Sequence, residues 1–194
     1  MINLDNYDII LASQSPRRQA LLKDMGINFR VILKEVEETY PEGLSISEIP
    51  VYLAQLKASA FLDDEINDNT IIITADTIVC LEDKVLGKPV DKEHAYEILR
   101  FISGKQHQVI TGVCLKSKSK IKTFSAYSDV YFRELSDEEI YYYINKYSPF
   151  DKAGAYGIQE WIGYVGIERI EGSYFNVMGL PTQKLYLELN KFIE

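Results

Sequence analysis

Sulfur and imidazole are scarce in this chain of 194 residues: two cysteines, two histidines and three methionines, with a single tryptophan. Cys80 and Cys114 lie far apart in apolar, strand-like runs. That excludes a disulfide framework or a cysteine metal pair, and the expectation is two reduced core thiols. With only His94 and His107, no Ser-His-Asp arrangement or zinc spacing is visible, and no phosphate-binding P-loop replaces them. His94 reads as an exposed helix residue and His107 as a structural one at the start of a strand. No apolar run is long enough to span a bilayer and no signal-like segment opens the sequence, so a soluble cytoplasmic protein without a membrane partner is expected. Positive charge is also short: Lys and Arg number 21 against 29 Asp and Glu, for a formal net charge of -8. An acidic surface repels nucleic acid, so any phosphate partner must be small and met by a local basic cluster. Repeats, low-complexity tracts and linkers are absent. The length suits one domain, or two tightly joined lobes, with a real core.

Helical and strand signals alternate along the chain. Residues 9–11 read as a strand, followed by a helix with Ser15 as N-cap, Pro16 at its first position and Gly26 as its stop. A second strand is predicted over 29–33. Ser45 and Glu48 form a candidate capping box for a helix through Tyr52, Leu53, Leu56 and Ala60. The β-branched run 70–75 predicts a strand covered on both faces, ending in Asp76-Thr77. A hairpin turn follows at 82–84, then a helix capped by Asp91 with Ala95, Ile98, Leu99 and Ile102 on its apolar face, stopped by Gly104. Strands are predicted over 108–115 and 121–132. Ser136 and Glu139 make a second capping box, for a helix to Tyr147 in which Tyr141, Tyr142 and Tyr143 cover core. A strand over 164–170 and a helix from Pro181 complete the pattern, which implies an α/β fold on a mixed sheet.

Several segments carry chemistry. Residues 11–18, Leu-Ala-Ser-Gln-Ser-Pro-Arg-Arg, aim backbone N–H groups, a helix dipole and two guanidinium groups at one place, which suits an anion such as a phosphate chain. A capped surface helix with solvated arginines fits that segment equally well. Asp76, placed at a strand end, suits metal binding or proton abstraction from water, and a turn cap is its plainer alternative. Lys88 sits in a Gly-Lys-Pro loop. Lys57 shares a helix face with Leu53 and Ala60 and would be partly sheltered there, although a lone helix lysine more often snorkels to solvent. Segment 151–159, Asp-Lys-Ala-Gly-Ala-Tyr-Gly-Ile-Gln, offers Lys152, glycines that allow close approach to a ligand, and Gln159. That amide donates and accepts at once, matching a pyrimidine edge with a carbonyl beside an N–H; a tight structural turn is the alternative. Of the acidic cluster Glu35, Glu37 and Glu38, only Glu35 at the strand end has a case as a metal ligand, and a solvated acidic loop is the usual fate of such a run.

Taken in series, six segments resemble the Maf family of nucleotide pyrophosphatases: 11–18, 75–79 (Ala-Asp-Thr-Ile-Val), 87–89 (Gly-Lys-Pro), 103–107 (Ser-Gly-Lys-Gln-His), 151–159 and 172–181 (Gly-Ser-Tyr-Phe-Asn-Val-Met-Gly-Leu-Pro). They occur in the family's order and cover nearly the whole chain. The resemblance implies a single domain, 1–194, of two lobes. Its fold would be an elongated mixed sheet flanked by helices with a central cleft, like that of the inosine triphosphate pyrophosphatases. It also implies hydrolysis of a nucleoside triphosphate between the α- and β-phosphates, with a divalent metal (Mg, Mn or Co), and a homodimer. Under it, Asp76 accepts the proton of the attacking water and approaches the metal, with Glu35 in support. Arg17, Thr77 and Gln159 select the substrate, while Ser13, Arg18, Lys57, Lys88 and Lys152 hold the phosphates. The form of segment 151–159 resembles the branch acting on dTTP and UTP. Glu160 departs from that branch, which often has glycine there, and adds charge near the base pocket. Two rival readings are a pyrophosphatase that clears modified nucleotides such as 7-methyl-GTP, and a regulator of septum formation acting through protein contacts.

Overall fold

The computed structural model of the chain describes residues 2–194. Seven strands, β1 (Asp8–Leu11), β2 (Arg30–Val31), β3 (Thr70–Leu81), β4 (Lys84–Leu86), β5 (Gln106–Lys116), β6 (Ile121–Phe132) and β7 (Ile167–Gly172), form one sheet. Its order is β2-β1-β3-β5-β6-β7, with β4 paired to β3 off that path. β1 pairs in parallel with β2 and β3, whereas β3–β4 and β6–β7 are antiparallel. The sheet is therefore mixed, as the alternating pattern implied. Its helices are α1 (Pro16–Asp24), α2 (Ile49–Ser59), α3 (Lys92–Ile102), α4 (Asp137–Tyr147), α5 (Trp161–Gly166), α6 (Tyr174–Met178) and α7 (Thr182–Ile193). None of the described helices is long and apolar enough to cross a membrane.

Local chemistry explains most of these boundaries. Ser15 caps α1 and Asp91 caps α3, while Ser136 and Glu139 close a reciprocal capping box on α4. The 82–84 turn is a tight hairpin in which Glu82 and Asp83 both have left-handed φ values, 51° and 61°, and Leu81 pairs with Lys84. Five expectations need correction. β3 does not end at Ala75: it runs to Leu81, so Asp76 lies in mid-strand. β2 is two residues long rather than 29–33. Ser45 does bond Glu48, but in a turn that precedes α2, because Pro50 at the first turn moves the helix start to Ile49. The predicted strand 164–170 is half helix, since α5 continues to Gly166 before β7 begins. In the tyrosine run only Tyr143 is buried, because three successive helical residues fan over more than half a turn and leave Tyr141 and Tyr142 exposed.

The chain divides into two compact units. The first runs to Asp76 and includes Thr111–Ala126 and Gly179–Glu194; the second comprises Thr77–Ile110 and Tyr127–Met178. In the first unit Ile10, Phe61, Ile66 and Ile72 pack together, and Ala54 and Ala58 of α2 meet Cys114 of β5. α2 lies so close to the sheet that a Cβ at Gly112 would collide with the backbone of Pro50 and Val51. The buried Lys116 donates to the Phe61 carbonyl and pairs with Asp63 at 3.0 Å. In the second unit the apolar face of α3 packs with Leu135, Ile140, Tyr143 and Ile144 around Val79 and Leu81. Both cysteines are free thiols. Burial raises the Cys114 thiol to about 11, which suits an inert core residue.

Candidate active site

In the first unit, the start of α1 gathers donors. The Ser13 hydroxyl accepts from the Ser15 N–H at 3.2 Å and from Arg18 Nη1 at 3.3 Å, and Arg18 Nε donates to the Gly179 carbonyl at 2.8 Å. The side chain of Ser15 accepts from the Arg18 N–H at 3.4 Å, so α1 opens with Arg17 and Arg18 in its first turn. Burial lowers the Arg18 pKa; Asp76 and Glu38 oppose that shift and Arg17 adds to it. Guanidinium and carboxylate groups of α1, β3 and the acidic segment are thus close enough to feel one another.

The carboxylate side of this cluster follows from register. Alternate residues of a strand share a face, so Thr74 and Asp76 both point from β3 towards α2. Thr74 Oγ1 donates to the Ala54 carbonyl at 2.6 Å, and one helical turn further on Lys57 Nζ donates to Asp76 Oδ1 at 2.7 Å. The same ammonium meets Glu38 Oε2 at 3.0 Å. Lys57 is only 17% exposed at its side chain, so it is sheltered and does not snorkel to solvent. Glu35 is exposed, and Glu38 is the acidic residue brought to Lys57. Nothing in the spacing of that acidic run marks Glu38 out, because its partner lies on a helix nineteen positions downstream.

In the second unit, Thr77 follows Asp76 on β3 with its side chain on the opposite face. Lys88 is exposed, and its loop is tied to segment 151–159 by the Gly154 N–H donating to the Gly87 carbonyl at 3.2 Å. Lys152 is buried; its Nζ pairs with Asp151 Oδ1 at 2.7 Å and Glu160 Oε1 at 3.1 Å. Glu160 Oε2 accepts a short hydrogen bond from the Tyr143 hydroxyl. The charge that Glu160 adds is therefore matched within the protein. Gln159 has a buried side-chain carbonyl, Oε1, with no hydrogen-bond partner. A buried, unsatisfied acceptor is costly, and a ligand N–H would relieve it. His107 is buried against Tyr156, with Nε2 2.7 Å from the phenol oxygen, and burial pushes its pKa down to about 4. It is a core residue, as expected.

The family model for Maf-like proteins matches residues 8–192. This chain belongs to the Maf family. Among relatives of this Maf-like protein, a dTTP/UTP pyrophosphatase of Bacteroides thetaiotaomicron is 55% identical over 97% of the chain and 98% of its own length. Another protein of that name, from Phocaeicola vulgatus, is 56% identical over 97% of the chain and 98% of its own length. The structure of the Staphylococcus aureus Ham1 protein aligns with 64% of this chain and 71% of its own, at 15% identity and a TM-score of 0.44.

In this Maf-like protein no three of His, Cys, Asp and Glu converge into a metal cluster among the described residues. Asp76 and Glu38 nevertheless both present a carboxylate oxygen to one cation, the Lys57 ammonium. Two hard oxygen donors facing a shared positive charge fit a magnesium-like ion, which is commonly held by one or two carboxylates together with substrate phosphates. Three side chains at these clusters escaped sequence reasoning: Glu38, Tyr143, and Glu160 in its paired role. Each acts through a partner distant in the chain, and only the fold supplies that partner.

Proposed function

We propose that this Maf-like protein is a nucleoside triphosphate pyrophosphatase that hydrolyses dTTP and UTP between the α- and β-phosphates, giving the monophosphate and pyrophosphate. The observation that carries the reading is the Asp76–Lys57–Glu38 cluster beside Arg18 and Ser13. It combines a proton acceptor with the local positive charge that a triphosphate demands in an otherwise acidic protein. The names carried by its relatives point to the same substrates.

In the proposed mechanism Ser13, Arg18 and Lys57 hold the triphosphate, and the family resemblance gives Lys88 and Lys152 the same role. Asp76 takes a proton from the water that attacks in line, and Arg17 and Thr77 contribute to substrate selection. Gln159 reads the base: its unpaired carbonyl accepts the N3–H of uracil or thymine while its amide N–H donates to a ring carbonyl. A divalent cation held by Asp76 and Glu38, with Glu35 as the alternative ligand, would neutralise phosphate charge and orient the phosphorus. A homodimer belongs to the same reading through the family resemblance, and two unpaired thiols fit a cytoplasmic location. The test is a panel of nucleoside triphosphates, including modified ones, with magnesium, manganese or cobalt, scored for released pyrophosphate. Preferred turnover of dTTP and UTP is expected; preferred turnover of modified purine nucleotides would replace this reading with the nucleotide-clearing one.

A further inference from the structure

The turn that carries Gln159 is closed twice. Its backbone closes through the Glu160 N–H donating to the Gly157 carbonyl at 3.0 Å. A second closure runs through a side chain of another element. The Gly157 N–H donates to the Tyr143 hydroxyl at 2.9 Å, and that hydroxyl donates to Glu160 Oε2. Tyr143 is fully buried on α4, and both burial and the Glu160 carboxylate raise its pKa, so the phenol keeps its proton and remains a donor. The fit is close: a Cβ at Gly157 would lie 2.9 Å from Glu160 Cδ and 3.1 Å from Lys152 Cε. Both Glu160 oxygens are engaged within the protein, Oε1 by Lys152 and Oε2 by Tyr143. Gln159, by contrast, stands between two pinned ends with its carbonyl unpartnered.

We propose that Glu160 and Tyr143 are positioning residues for base selection: the Glu160–Tyr143–Gly157 bridge locks the 157–160 turn and so holds the Gln159 amide in the orientation that distinguishes uracil and thymine from cytosine. This rests on the proposed pyrophosphatase reading. UTP and CTP are the informative pair, since cytosine presents an acceptor at N3 and a donor amine at position 4 where uracil presents the reverse. A fixed amide rejects the wrong pattern by leaving its own groups unpaired, whereas a loose one re-pairs.

The test uses Tyr143→Phe and Glu160→Ala, singly and together, with two readouts. Amide hydrogen exchange at Gly157 reports the bridge without any substrate, and kcat and KM for UTP and CTP report selection. In Tyr143→Phe, Gly157 exchange is expected to rise by about tenfold or more, and the UTP:CTP ratio of kcat/KM to fall by about tenfold, mainly through a higher KM for UTP. Glu160→Ala is expected to lower the same ratio in the native background but by less than about twofold in the Tyr143→Phe background, because both residues act through one bridge. Unchanged Gly157 exchange, or an unchanged base ratio in both single variants, overturns the proposal. Should Tyr143→Phe fail to fold, Glu160→Ala decides by the same two readouts. If the native protein releases no pyrophosphate from UTP or dTTP, the pyrophosphatase reading falls, and Gly157 exchange alone then decides whether the bridge exists.

Discussion

Lys57 is a sheltered ammonium and Lys152 a buried one, each clasped by two carboxylates, and the two clasps are built differently. Lys57 sits on a regular helix over a regular strand, and its carboxylates come from mid-strand Asp76 and the exposed acidic segment at Glu38. Lys152 sits in an irregular segment beside a one-turn 3-10 helix, and its inner carboxylate, the half-buried Glu160, is committed on its other oxygen to Tyr143. Each clasp has one exposed arm, Glu38 or Asp151, but the inner arm of the second is also hydrogen-bonded to Tyr143, so it keeps its shape while the first can exchange its cation for a ligand. The first arrangement suits chemistry, where partners must change during turnover. The second suits recognition, where a shape must persist.

Substitution of the inner carboxylates separates these roles most strongly. Asp76→Asn is expected to lower kcat for UTP by roughly 10²- to 10⁴-fold, the range for a lost general base, measured as pyrophosphate release. Full activity in that variant would remove Asp76 from the mechanism. The contrast can next be broken at the seat of α2. Gly112→Ala places a methyl group in the Pro50 backbone and should cost about 3 kcal/mol in denaturant unfolding, with a loss of activity as Lys57 shifts. An unaltered unfolding midpoint would show that α2 does not depend on that close approach.

Acid should weaken the second unit through His107, whose value of about 4 in the folded protein lies below the ordinary 6.5. A depressed imidazole contributes its full stability above pH 6.5. That contribution is lost as the pH falls from 6.5 towards 4, where the unfolded chain binds the proton and the folded one does not. The loss is up to about 3 kcal/mol, and His107→Gln should flatten that part of the stability–pH curve. A curve of unchanged slope in the variant would assign the acid sensitivity elsewhere. The smallest effect is expected for Gln159→Ala, a drop of about tenfold in the preference for UTP over purine triphosphates with a lesser change in kcat. Relative kcat/KM values across the bases that stay as in the native protein would refute its role in selection.

What was legible in the residues was whatever depends on near neighbours. The Ser136–Glu139 box, the Asp91 cap, the 82–84 hairpin and the apolar face of α3 all follow from spacings of four residues or fewer, and all are present. The face of α2 that carries Lys57 is legible too, because the buried Leu53 lies one turn before it. The misreadings share a cause in long-range partners. A carboxylate after six β-branched or apolar residues looks like the end of a strand, yet β3 continues because Lys57 satisfies Asp76 inside the protein. Segment 164–170 reads as extended from its own residues, but Trp161 and Ile162, packed in the core of the second unit, start α5, which carries the segment's first half as helix. Glu38 could not be told from Glu35 without knowing where the loop returns.

The paired contacts Thr74–Ala54 and Asp76–Lys57 make α2 a ruler laid along β3, with marks two residues apart on the strand and three apart on the helix. Inserting one residue between Ala54 and Lys57 would swing the ammonium about 100° around the helix axis and strand Asp76 without a counter-ion. Deletions and insertions inside that three-residue interval would therefore silence such a protein far more readily than larger length changes in its surface loops. Anyone shortening or grafting this scaffold should treat the interval as indivisible.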